Sequence, residues 1–186
     1  MMTELEYFEH AISLEKYMVQ MESNQEKTYA IYEKFDLPED PELLGLLKQK
    51  QPKILAITED WSGDAMMVNP ILRKLAEAAD VEVRCVYRDD NPELMERHFT
   101  NSGKSIPKYV FLSQEGDVVG AWGPRSPKVQ KMVEEKKAKL PEETDPHYKL
   151  HWKTVIGEIS DRFTSDPELW QDTYEDLSKS LQESLA

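Results

Sequence analysis

The sequence predicts an α/β protein with a β-α-β-α-β-β-α core and extra helices before and after it. Three observations predict it. Short apolar runs alternate with helical stripes between residues 51 and 140. A Gln114-Glu115-Gly116 turn joins the last two of those runs as a hairpin. Stripes of helical period fill residues 1–50 and 141–186. The expected organisation is a helical extension over 1–50, a core domain over 51–140, and a second helical extension over 141–186 that packs on the core.

In chain order, Phe8, Ala11, Ile12, Leu14, Tyr17, Met18 and Met21 recur at spacings of three and four, which predicts one amphipathic helix over 5–22. A second helix is expected from Lys27 to Phe35. Leu37-Pro38-Glu39-Asp40-Pro41 ends it, because proline lacks the donor that a helix interior needs. Asp40-Pro41-Glu42 then reads as a cap with proline at the first helical position, opening a short helix through Leu43, Leu44, Leu46 and Leu47.

The core follows. Lys53–Thr58 is a strand and Val68–Ala79 a helical face. Val81–Tyr87 is a strand with Val81, Val83, Cys85 and Tyr87 on one side, and Asn91-Pro92-Glu93 opens a helix carrying Leu94, Met95 and Phe99. This order implies a parallel strand pair with a right-handed crossover. Lys108–Ser113 and Asp117–Trp122 form the hairpin, and a last core helix starts near Ser126-Pro127. Beyond it, Tyr148, Trp152, Val155, Ile156, Ile159 and Phe163 make one stripe. Asp166-Pro167-Glu168 opens another through Trp170, Tyr174, Leu177, Leu181 and Leu185. Neither helix is long enough to stand alone in water, so both are expected to dock on the core.

Composition narrows the function classes. With 186 residues, 39% hydrophobic and 32% charged, the chain suits one α/β domain with extensions. No apolar run approaches the roughly 20 residues a bilayer span requires, and MMTELEYFEH lacks the basic-then-apolar order of a secretory signal. The single cysteine, Cys85, excludes an internal disulfide and fits a reducing cytoplasm. The net charge of −13 sits mainly in the flanks: residues 1–50 hold 11 acids against 5 bases, and residues 141–186 hold 11 against 4. That balance argues against nucleic acid and against anionic membranes as partners, and solubility alone accounts for it. It leaves the oligomeric state open.

The chemistry-bearing segment is Trp61-Ser62-Gly63-Asp64-Ala65, followed by Pro70 and later by Ile106-Pro107. It resembles the active site of the thioredoxin family, W-C-G-P-C-x-x-x-x-P with a distant cis-proline, over about residues 51–140. Ser62 stands at the nucleophilic cysteine position and Ala65 at the resolving one, so this active site is degenerate. A dithiol–disulfide cycle needs both sulfurs, one to attack and one to release the mixed disulfide. A serine at a helix start is expected to cap the helix, and Asp64 there suits the helix dipole while opposing a bound anion. The resemblance further implies that Ile106, ahead of a cis Pro107, offers backbone groups to an extended peptide. Trp61 then either walls that groove or packs against Pro107.

Other clusters are weaker. His147 and His151 lie four apart near Glu143 and Asp145, but a zinc site lacks further ligands there, so no metal is expected. Arg88-Asp89-Asp90-Asn91 lacks the spacing and glycine of a calcium loop. Cys85 reads as a small buried hydrophobe. Lys128, Lys131, Lys136, Lys137 and Lys139 make a basic helix face suited to the acidic flanks or to solvent.

Three functions compete. The leading one is a cytoplasmic, redox-inactive binding or scaffold module, with no cofactor, that holds a protein or peptide in a groove built from Trp61, Ser62, Gly63, Asp64, Ala65, Ile106 and Pro107. The second is a monothiol oxidoreductase whose natural residue 62 is cysteine. The third is a glutathione-binding protein whose Ser62 hydroxyl faces the thiolate; Asp64, the overall negative field and the short C-terminal extension speak against it.

Overall fold

A computed structural model of the protein describes residues 1–99 and 103–186. The elements are α1 (Glu4–His10), β1 (Ile12–Ser13), α2 (Leu14–Gln20), α3 (Gln25–Lys34), α4 (Pro41–Lys50), β2 (Lys53–Thr58), α5 (Gly63–Ala79), β3 (Glu82–Tyr87), α6 (Pro92–Arg97), β4 (Lys108–Leu112), β5 (Val118–Trp122), α7 (Pro127–Lys137), α8 (Tyr148–Ser165) and α9 (Pro167–Leu185). The sheet runs β1-β3-β2-β4-β5. Strands β2 and β3 are parallel, and every other neighbouring pair is antiparallel.

Alternation along each strand divides the interior in two. Ile54, Ala56, Val83, Cys85, Tyr109 and Phe111 face a large cluster filled by α2, α3, α4, α5, α8 and α9. Leu55, Ile57, Val110 and Leu112 face a smaller one closed by Phe8 from α1, by Leu94 and Met95 from α6, and by Ile106. The helix over 5–22 is therefore not continuous. Phe8 lies on one side of the sheet while Leu14, Tyr17, Met18 and Met21 lie on the other. Between them Ile12 and Ser13 pair with Cys85 and Arg84, and the Ser13 side chain caps α2 by accepting from the Lys16 amide at 3.1 Å. Thus the N-terminal segment also supplies an edge strand. Phe99 lies beyond α6 and is exposed.

Helices α8 and α9 both place residues in the large cluster, and α9 stitches several elements together. Trp122 donates to Asp176 at 2.8 Å, and Ser126, the cap of α7, donates to Asp172 at 2.5 Å. Tyr174 and Ser178 both donate to the second oxygen of Asp40, whose first oxygen accepts the Leu43 amide and caps α4. Burial and the adjoining carboxylate push the Tyr174 phenol well above its ordinary range, so it stays a donor at any physiological pH.

A buried polar chain runs beneath the start of α5. Tyr109 donates to the Asn69 carbonyl oxygen at 2.5 Å, the Asn69 amide donates to Thr58 at 3.1 Å, and Tyr17 lies 3.4 Å from the same hydroxyl. It links β4, α5, β2 and α2 through groups that water does not reach. Replacing Asn69 by Ala strands the buried Tyr109 hydroxyl, leaves Thr58 only its long contact with Tyr17, and should lower stability by about 1–3 kcal/mol. Adding Tyr109→Phe should then cost less than its own separate effect, by about 1 kcal/mol, in a denaturant double-mutant cycle. Strict additivity would show that the chain carries no coupling.

Candidate functional site

Helix α5 begins at the mouth of the sheet, and its first turn organises the site. Ser62 is the cap: its Oγ accepts the Ala65 amide at 3.1 Å and donates to the Ile106 carbonyl oxygen at 3.5 Å. Only 6% of Ser62 is exposed. The hydroxyl thus joins the helix start to the loop that holds the cis Ile106-Pro107 bond.

A second loop closes from the other side. Gly123-Pro124 is also cis, and Gly123 has φ +129°. A Cβ at Gly123 would fall against the Pro107 carbonyl oxygen, so glycine is needed both for backbone angle and for close approach. The next residue, Arg125, grips Asp64 with two bonds, Nε to Oδ1 at 2.7 Å and Nη2 to Oδ2 at 2.8 Å, and donates through Nη1 to Gln130 of α7 at 3.0 Å. The charge of Asp64 is therefore compensated on the spot, which removes the expected repulsion of an anion at this helix end.

Trp61 stands out of this base and is 55% exposed. Its ring lies 4.9 Å from the Arg88 guanidinium, which also donates to the Lys104 carbonyl oxygen at 3.1 Å. In front lies an open groove of about 1060 Å³. Trp61, Ser62, Gly63, Asp64 and Ile106 line it, as the sequence pattern grouped them. Ala65 and Pro107 do not: both are buried behind the surface as backing.

The other eleven of the sixteen lining residues lie outside the grouping read from the sequence. Arg88, Lys104, Arg125 and Lys137 bring positive charge, while Trp152 and Ile156 come from α8. Both of those residues were grouped with the buried stripe of that helix, but only Val155, Ile159 and Phe163 are buried. Trp152 and Ile156 each remain 38% exposed toward the groove. The signal was present in an apolar stripe too wide for one buried face. The basic face of α7 meets the C-terminal flank: Lys136 pairs with Glu158 at 3.3 Å, and Lys137 places its ammonium 5.4 Å from the Trp152 ring.

No histidine or cysteine is among the described groove residues, so Ser62 has no imidazole beside it to take its proton. Cys85 lies in the large interior cluster, where burial pushes its thiol up, out of the nucleophilic range. His147 and His151 stand at the exposed start of α8, and no group of three metal-ligating side chains occurs among the described residues.

A family model described as thioredoxin matches residues 11–139, more than half of the chain. The chain belongs to the thioredoxin family. Its fold also matches a protein of unknown function from Pseudomonas aeruginosa, at 13% identity and a TM-score of 0.71 with 100% of each chain covered. An HIV epitope-scaffold matches at 14% identity and a TM-score of 0.68, again over 100% of each chain. At such identities these likenesses show the fold alone. No curated protein matches the chain in sequence. Among the described residues, no helix is long and apolar enough to cross a membrane.

Within this thioredoxin-family site two substitutions probe the framework. Ser62→Ala removes the cap and should cost about 1 kcal/mol in urea unfolding with the far-ultraviolet spectrum unchanged. Gly123→Ala should cost more, about 1–3 kcal/mol for the positive φ before any displacement of Pro107 is counted. A Gly123→Ala variant as stable as the parent would rule out the close approach of the two loops.

Proposed function

We propose that this thioredoxin-family protein is a cytoplasmic binding module without dithiol chemistry, holding an extended peptide segment in the Trp61 groove. One observation carries the reading. The residue at the nucleophile position is a buried serine whose hydroxyl is committed to the helix cap and to the Ile106 carbonyl, while a wide groove with an exposed tryptophan opens directly in front of it. Ala65 cannot resolve a mixed disulfide, and Cys85 is inaccessible. The single buried thiol is compatible with a reducing compartment.

The groove has the attributes of a peptide site. It is concave, rimmed by aromatic rings, and bordered by the Lys104–Ile106 segment. Trp61 already rests on Arg88, so its ring is held in place before a ligand arrives and less side-chain freedom is lost on binding.

The test is titration of the intact protein with a library of extended peptides, followed by tryptophan fluorescence and calorimetry, beside an assay of disulfide reduction and a titration with glutathione. Binding tighter than about 100 μM is expected for a subset of peptides, weakened about tenfold or more by Trp61→Ala, which removes a large aromatic contact. Catalytic reduction of a disulfide substrate by the protein with Ser62 in place would overturn the reading. So would glutathione binding tighter than every peptide.

A further inference from the structure

The groove is positively charged within a strongly acidic protein. Its lining carries Arg88, Lys104, Arg125 and Lys137 against only Asp64 and Glu134, whereas the whole chain has a net charge of −13. Two of those cations are already engaged: Arg125 with Asp64, and Arg88 with Asp89 and the Lys104 carbonyl. Glu134 accepts a bond from Gln130 at 2.8 Å. Among the described residues, no carboxylate forms an ion pair with Lys104 or Lys137.

The positive charge is paired with aromatic surface at two places. Arg88 lies over Trp61 at 4.9 Å, and Lys137 lies over Trp152 at 5.4 Å, with Ile156 one turn further along α8. Each pair offers a ligand an apolar plane with a cation beside it. Beyond Trp61 the surface changes sign: Glu22, Glu59, Asp60, Asp89 and Asp90 line the adjoining depression. A carboxylate-rich ligand is attracted on the α8 side of Trp61 and repelled on the other.

We infer that the occupant of this groove is a short acidic peptide segment with an apolar or aromatic residue among its carboxylates, bound on the α8 side of Trp61. The inference rests on the peptide-binding reading above and adds the chemistry of the ligand. A long polyanion such as nucleic acid is disfavoured, because an acidic depression adjoins the groove across Trp61 and the chain carries a net charge of −13.

The decisive experiment uses three peptides of equal length and equal apolar content, differing only in having Glu, Gln or Lys at the polar positions. They are titrated into the intact protein at low and at high salt. The Glu peptide should bind about tenfold tighter than the Gln peptide at 20 mM salt, and that preference should shrink about fivefold at 500 mM as the charges are screened. Lys104→Glu combined with Lys137→Glu should reverse the preference. Both side chains are at least partly exposed, and neither holds an ion pair, so the double variant should fold with an unchanged urea midpoint. Extending the Glu peptide with further acids at both ends should not improve binding. If all three peptides bind equally, the charge inference fails while the peptide-binding reading stands. If none binds, both fail. If the Lys peptide binds best, the acidic depression is the contact surface, and the inference is overturned.

Discussion

The site depends on how the first turn of α5 satisfies its unpaired amides. A helix start leaves several N–H groups without partners and gathers partial positive charge there. Here Ser62 takes the Ala65 amide, and Asp64 places a carboxylate in the first turn. Each of these residues then reaches across to a different loop. Ser62 donates to Ile106, and Asp64 receives both arms of Arg125. One helix end therefore ties together the two cis-proline loops, and those loops form the floor and one side of the groove. A thiol at position 62 could do little of this, because sulfur is a weak acceptor and a weak donor. The serine hydroxyl at this position is what makes the tie.

That helix end is itself held from below. Asn69 lies seven residues into α5 and is fixed by Tyr109 and Thr58, so the helix cannot slide along the sheet without breaking buried hydrogen bonds. On the same side of the sheet, Trp122, Ser126 and Asp40 all bond to α9. The C-terminal helices thus act as a clamp on the hairpin and on the start of α7, which carry Arg125 and Gln130 between them. The position of the ion pair at the groove is set by contacts on elements that do not touch it.

Much of this was legible in the sequence, and the division between what was and what was not follows sequence distance. Local signals worked: Asp40-Pro41 and Ser126-Pro127 open helices as caps, Gly116 turns the hairpin, and the strands alternate between two interior faces. Trp61, Ser62, Gly63, Asp64 and Ile106 came together because the family spacing encodes that meeting. Long-range partners were invisible. Asp64 and Arg125 are 61 residues apart, and nothing local to either announces the pair. The stripe over 5–22 looked continuous because periodicity reports which residues are apolar and not which side of a sheet they enter. Only the pairing of Ile12 with Cys85 shows that Phe8 and Tyr17 must part.

Helix α8 shows why the flanks bear on function as well as stability. Its apolar surface is wider than burial requires. Val155, Ile159 and Phe163 anchor it, and Gly63 of the site has Phe163 as its neighbour, with the ring 3.9 Å from where a Cβ would stand. The remainder, Trp152 and Ile156, is held up on that anchored base as a second wall facing Trp61. A wall fixed by its own buried side loses little freedom when a ligand meets it. A thioredoxin fold without α8 would present Trp61 on an open surface. With α8 in place the same tryptophan borders a groove, and Arg88, Lys104, Arg125 and Lys137 give that groove its sign.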